Sequence, residues 1–251
     1  MRDGGLRVAP GTLASAAAEV ASRWAGGLIA SCQPVRGGVF DRPDLVARFA
    51  IAALDGGCAG LRVEGLADLA AVRAAADAWA AARTVSPVPI VGLVKVDAAP
   101  DEAFITTTPA HVAALATAGA DVIAFDATQR RRPVPVAVLV ATIHAAGKLA
   151  MADCATAADG AAAAGTNADF LASTLSGYAP GSPDLDGPDL DLVAALAATG
   201  VPAIAEGRIA TVAHAAAARA RGAHAVTIGT AFSRPEWIVE GFVRALAVAG
   251  A

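Results

Sequence analysis

At 251 residues and with 56% hydrophobic side chains, the chain is long enough to bury a substantial core. A net charge of −4 argues against nucleic acid as the main partner. Alanine supplies much of the positive mean hydropathy (+0.55), and no uninterrupted apolar run reaches the roughly 18 residues of a membrane span.

The longest apolar candidate, 134–151, is broken by Pro135, His144, Gly147 and Lys148. The stretch 11–25 is alanine-rich and amphipathic, carries Glu19 and Arg23, and lacks the apolar segment of a signal peptide. The expectation is a cytoplasmic protein. From residue 27 onward short β-rich runs alternate with longer helical patterns. "GLIASCQ" (27–33) precedes a helix over 43–55, "AGLRV" (59–63) one over 66–83, and "PIVGLVKV" (89–96) one over 109–118. "DVIAFDA" (121–127) leads to 135–146, "KLAMADC" (148–154) to 155–165, and "DFLASTL" (169–175) to 188–199. "PAIAEG" (202–207) and "AVTIGT" (225–230) are followed by helices over 211–222 and 235–247. Pro109, Pro135 and Pro235 suit helix starts, and Gly119, Gly147, Gly200 and Gly222 suit helix ends.

Eight βα units whose strands are apolar on both faces predict a parallel sheet closed on itself, a (β/α)₈ TIM barrel of the α/β class. A doubly wound open sheet is the alternative, but the first strand-to-helix turn lacks a G-x-G-x-x-G phosphate fingerprint. With no linker visible, 1–251 is read as a single domain in which 11–25 is an extra helix capping the bottom of the barrel. Cys32, Cys58 and Cys154 are scattered without a C-x-x-C pair and read as small buried thiols. His111, His144, His214 and His224 form no ligand-spaced cluster, so no metal site is expected from them.

Barrel chemistry sits where the strands end. Those ends hold Gln33, Arg62 with Glu64, Lys95 with Asp97, and Asp126 with Thr128 and Arg130. Asp153, residues 174–178, Glu206 with Arg208, and Thr230 with Arg234 complete the ring. Lys95, one of only two lysines, shares the parity of Val91 and Leu93. All three therefore face either the barrel interior or the helix layer, where a lysine would have to snorkel or find a buried partner. Facing inward beside Arg62, its pKa would fall, suiting it as a general base or a Schiff-base amine. Gly207 and Gly229 mark the ends of the last two strands. With Arg208 and Thr230 they are candidate phosphate donors, although glycine there also serves as an ordinary turn residue.

With these residues in view, the sequence resembles the bacterial N-acetylmannosamine-6-phosphate 2-epimerase family. The similar segments include "GGLIASCQ" (26–33), "GLR" (60–62), "IVGLVK" (90–95), "FIT" (104–106) and "AGADVIAFDAT" (118–128). They continue through "LAMADC" (149–154), "STLSGY" (173–178), "PAIAEGRIAT" (202–211) and "AVTIGTAFSRP" (225–235). The resemblance implies a (β/α)₈ isomerase that interconverts N-acetylmannosamine-6-phosphate and N-acetylglucosamine-6-phosphate in amino-sugar and sialic acid breakdown, without metal or organic cofactor. It matches the catalytic lysine to Lys95 and its partner glutamate to Glu206. Substrate-binding roles fall on Gln33, Arg62, Asp126, Tyr178 and Arg208, and phosphate binding falls on Gly207, Arg208, Gly229 and Thr230. The chain departs from the family pattern at Glu64, where asparagine is usual, in the loop "PVRGGVFDRP", and at Thr107, where proline is common. The implied partner is a phosphorylated N-acetyl amino sugar. The apolar segment "WIVEGFVRALAVA" (237–249) suits pairing as a homodimer. A Schiff-base lysine aldolase on the same barrel is the rival enzyme reading, and a phospho-sugar sensor without turnover is the non-enzymatic one.

Overall fold

The strands bury every second residue inward and the others against helices, so the sheet can close only if both faces are covered. The computed structural model describes residues 10–249. Its strands are β1 (Leu28–Ser31), β2 (Gly60–Glu64), β3 (Ile90–Leu93), β4 (Val122–Asp126), β5 (Leu149–Asp153), β6 (Phe170–Ala172), β7 (Ala203–Ala205) and β8 (Ala225–Ile228). They pair in parallel in chain order and close into a barrel, with Leu28 opposite Val226 at the seam. Val91, Leu93, Val122, Ala124, Met151, Phe170 and Ile204 fill the interior as one cluster. Leu61, Val63, Ile90, Ile123, Phe125 and Leu171 pack outward in a second cluster with the helices.

The helices are α1 (Pro10–Trp24), α2 (Pro43–Asp55), α3 (Leu66–Arg83), α4 (Pro109–Thr117), α5 (Val136–Ala145) and α6 (Ala157–Ala164). They continue with α7 (Leu190–Ala197), α8 (Val212–Ala220), α9 (Thr230–Ser233) and α10 (Pro235–Ala249). Side-chain caps start several of them. Thr108 accepts from His111 N–H and Thr211 from His214 N–H, while Thr156 and Asp159 form a reciprocal capping box. Such caps contribute about 1 kcal/mol each. Gly119, Gly147, Gly200 and Gly222 all have φ between 71° and 102°, the left-handed conformation that ends a helix cheaply only in glycine.

At the bottom of the barrel Trp24 of α1 is fully buried, with its ring 4.8 Å from that of Phe170. Gly60 makes room for it, since a Cβ there would lie 2.5 Å from Trp24 Nε1. All three cysteines are free, and burial pushes the Cys32 thiol up to about 12. Among the described residues no helix is long and apolar enough to cross a membrane.

Several strands are shorter than the sequence expectation, and two differences reshape the barrel mouth. β3 ends at Leu93 rather than 96, because Val94 and Val96 pair with Thr106 and Phe104 of the following loop instead of with the barrel. The four-residue helix α9 intervenes between β8 and α10, and it is too short to leave any periodicity in the sequence.

Candidate active site

The barrel mouth encloses a cavity of about 710 Å³, within the range of roughly 300–1,000 Å³ usual for small-molecule sites. Gln33, Lys95, Thr174, Glu206, Gly207 and Arg208 line it, with Tyr178, Gly229, Thr230 and Arg234. Lys95 follows Val91 and Leu93, both in the interior cluster, so the structure selects the inward orientation. Its Nζ donates to Gln33 Oε1 at 2.7 Å. Gln33 is aimed in turn, because its Nε2 donates to Ser31 Oγ at 2.8 Å, while its backbone carbonyl accepts from Arg234 Nε at 3.1 Å. Burial and the charges of Arg62 and Arg234 lower the Lys95 pKa from its usual 10.5, against the opposing pull of Glu64 and Glu206.

Arg62 lies beneath the cavity, 1% exposed. Its Nη2 pairs with Asp153 Oδ2 at 2.7 Å, and its Nε stands 3.2 Å from Glu206 Oε1. The Asp153 and Glu206 carboxylates outweigh burial and hold the guanidinium charged. Asp153, fully buried, accepts from Thr174 Oγ1 at 2.7 Å with its other oxygen. Glu206 is pushed up to about 7, chiefly by burial and also by Asp153, while Arg62 and Lys95 pull it down. Its Oε2 has no hydrogen-bond partner among the described residues. One cavity therefore holds an amine tuned downward and a carboxyl tuned upward, the pairing that separates acid and base roles near neutral pH.

The last two strand-to-helix turns lie on the other side of the cavity. Gly207 and Arg208 both have positive φ, at 105° and 54°. The Arg208 guanidinium donates to Ser176 O at 2.6 Å and Gly187 O at 2.7 Å, which occupies only part of its five N–H donors. Gly177 permits this approach, for a Cβ there would lie 2.2 Å from Arg208 Nη1. Tyr178, 59% exposed, has its ring centroid 6.0 Å from the Arg208 guanidinium. Gly229 precedes the first turn of α9, and Thr230 begins it.

Of the residues singled out in the sequence, Gln33, Lys95, Tyr178, Glu206, Gly207, Arg208, Gly229 and Thr230 meet at this cavity. Arg62 supports it from below. Asp126 does not line it. Its fully buried carboxylate accepts from Thr128 Oγ1 at 2.6 Å, Arg130 Nη2 at 2.7 Å and Phe104 N–H at 3.1 Å, which leaves it as a brace between loops.

A family model described as "Putative N-acetylmannosamine-6-phosphate epimerase" matches residues 46–248. The chain belongs to this epimerase family. Proteins named "Putative N-acetylmannosamine-6-phosphate 2-epimerase" from Proteus mirabilis (strain HI4320) and Shigella dysenteriae serotype 1 (strain Sd197) are each 47% identical over 222 residues, 88% of this chain. Those matches cover 90% and 92% of the two relatives. The solved N-acetylmannosamine-6-phosphate 2-epimerase from Clostridium perfringens superposes with a TM-score of 0.81 at 34% identity, covering 89% of this chain and 95% of that one.

In this epimerase-family barrel, four site residues went without a role in the sequence reading. Asp153, held by Thr174, anchors Arg62, Ser31 aims the Gln33 side chain, and Arg234, just after α9, braces the Gln33 backbone. Asp153 carried a visible signal. It ends β5 in register with Asp126 at the end of β4, so two adjacent strands deliver inward carboxylates at the same level, although their partners differ.

Proposed function

We propose that this cavity interconverts N-acetylmannosamine-6-phosphate and N-acetylglucosamine-6-phosphate by moving the proton on C2 of the open-chain sugar. That hydrogen is acidic only when C1 is an aldehyde, so the ring opens first. Neutral Lys95 Nζ takes the C2 proton, the electron pair delocalises onto the C1 oxygen as an enolate, and a proton returns to the opposite face of C2. Glu206, with its raised pKa, assists ring opening or carries protons between lysine and sugar. The N–H groups of Arg62 face Asp153 and Glu206, so it acts through its fixed positive charge, stabilising the enolate in a site where water screens little. The substrate phosphate sits against Gly207, Arg208, Gly229 and Thr230, and its remote binding energy positions C2.

The observation that carries this reading is the lowered Lys95 amine and raised Glu206 carboxyl opening onto one cavity. Proton NMR of N-acetylmannosamine-6-phosphate in D₂O tests it. The C2 proton signal should fade through deuterium incorporation as the second epimer grows. Borohydride trapping of sugar on Lys95 would point instead to a Schiff base and sink the direct proton-transfer route. The apolar face of α10, where Val239, Phe242, Val243 and Leu246 are 59–74% exposed, supports pairing with a second copy. Sedimentation equilibrium returning only monomer would remove that part of the reading.

A further inference from the structure

The loop after β3 turns back on itself beside the base. Val96 N–H donates to Phe104 O at 2.9 Å, and Thr106 N–H donates to Val94 O at 2.9 Å. Lys95 and Ile105 become an isolated antiparallel pair, flanked by these bonds rather than joined by them. In that arrangement the two Cα atoms approach to about 4.5 Å and their side chains share a face. Ile105, 1% exposed, therefore stands alongside Lys95, and both line the cavity.

Phe104 stands beside it. It lines the main cavity and also a separate recess bounded by Val96, Pro100 and Arg130, so it partitions the two. Its position is held from behind. Its N–H donates to Asp126 Oδ2 at 3.1 Å, and the Arg130 guanidinium lies 5.0 Å from its ring centroid. Arg130 is itself anchored on Asp126 at 2.7 Å and on Thr128 Oγ1 at 3.0 Å. A buried carboxylate that never reaches the cavity thus fixes an aromatic wall that does.

With C2 facing Lys95, the acylamino nitrogen is one bond from the reacting carbon and the acyl methyl is three. The acyl group must then lie among the side chains adjoining the lysine. Tyr178, Leu185 and Trp237 also line the cavity but are 40–59% exposed, which places them at its rim, and the buried Leu175 and Ile209 line it beyond β6 and β7 rather than paired with Lys95. We infer that Phe104 and Ile105 form the wall of the subsite for the C2 acylamino group and set the acyl length accepted, with Asp126 and Arg130 as positioning residues. This rests on the C2 proton-transfer reading.

The test compares N-acetyl-, N-propanoyl- and N-butanoylmannosamine-6-phosphate on the wild type, Phe104→Ala and Ile105→Val, with C2 exchange followed for each. A fitted apolar wall discriminates one methylene by about tenfold or more, so wild-type kcat/KM should fall at least that much from acetyl to butanoyl. Phe104→Ala should lose about tenfold on the acetyl substrate yet shrink the acetyl-to-butanoyl ratio to about threefold or less. Ile105→Val, a one-methylene change that spares the fold, should shift the ratio in the same direction. Equal wild-type rates along the series, or a loss in Phe104→Ala that is uniform across it, would overturn the assignment. Absence of C2 exchange in the wild type on the acetyl substrate would sink the C2 reading itself, and this wall with it.

Discussion

Lys95 donates to Gln33 rather than to a carboxylate, so its hydrogen-bond partner does not lock in the ammonium form. Lys95→Met keeps much of the stem's bulk and removes the proposed base. It should lower kcat by roughly 10²–10⁴-fold while leaving the thermal unfolding profile in place, and turnover near the wild-type rate would refute the mechanism. The charges around Lys95 give a pH test with a sign. In the proposed mechanism the active form is the neutral amine, so activity should fall as pH drops through the lysine pKa, and a lower pKa places that acid limb at lower pH. Arg234 depresses the value and Glu206 raises it. Arg234→Met should therefore move the acid limb of kcat/KM to higher pH, and Glu206→Gln should move the lysine-dependent limb to lower pH. Glu206→Gln should also remove any second ionisation near 7 and reduce kcat more than it raises KM. A shared direction of shift in both variants would contradict the arrangement of charges. Lys95 and Glu206 were legible as candidates in the sequence because each is a polar residue closely following an apolar strand. The Asp153–Arg62 pair was not, since partner choice among several strand-end charges depends on distances across the barrel.

Element boundaries were legible to the extent that punctuation marks them. Proline at or just before the starts of α4, α5 and α10, together with glycine at four helix ends, bounded the repeating units, and the apolar runs between them became eight paired strands. The return of residues 94–106 upon themselves was hidden, because its stabilising bonds are backbone to backbone and leave no side-chain pattern. α1 offers a prediction at this scale. Trp24 fills the barrel floor against Phe170, so Trp24→Ala should destabilise the protein by about 3–5 kcal/mol. Urea denaturation reads this directly, and a loss below about 1 kcal/mol would show that α1 lies loosely against the barrel.

For the molecule as a whole, the proposed reading brings Lys95, after β3, and Glu206, after β7, to one cavity and puts the phosphate on the turns that follow β7 and β8. Unphosphorylated N-acetylmannosamine should lose at least about a hundredfold in kcat/KM, because charge-assisted hydrogen bonds contribute roughly 1.5–3 kcal/mol each and each 1.36 kcal/mol is tenfold. Arg208→Ala should weaken turnover of the phosphorylated sugar while barely changing the residual rate on the free one. Equal losses on both would mean that Arg208 matters mainly as the clamp on the loop bearing Ser176 and Gly187.

The bonds between Gln33 and the end of α9 have a consequence in time. The backbone of Gln33, whose side chain meets the lysine, is held at its carbonyl by Arg234, 201 positions further along the chain, and at its N–H by Ser233. A chain still emerging from the ribosome can hold its lysine, glutamine and strand-2 arginine and yet have no aligned base until β8 and α9 close the ring. Catalytic competence should accordingly arrive late and abruptly during synthesis or refolding, as a report that the two halves of the chain have met.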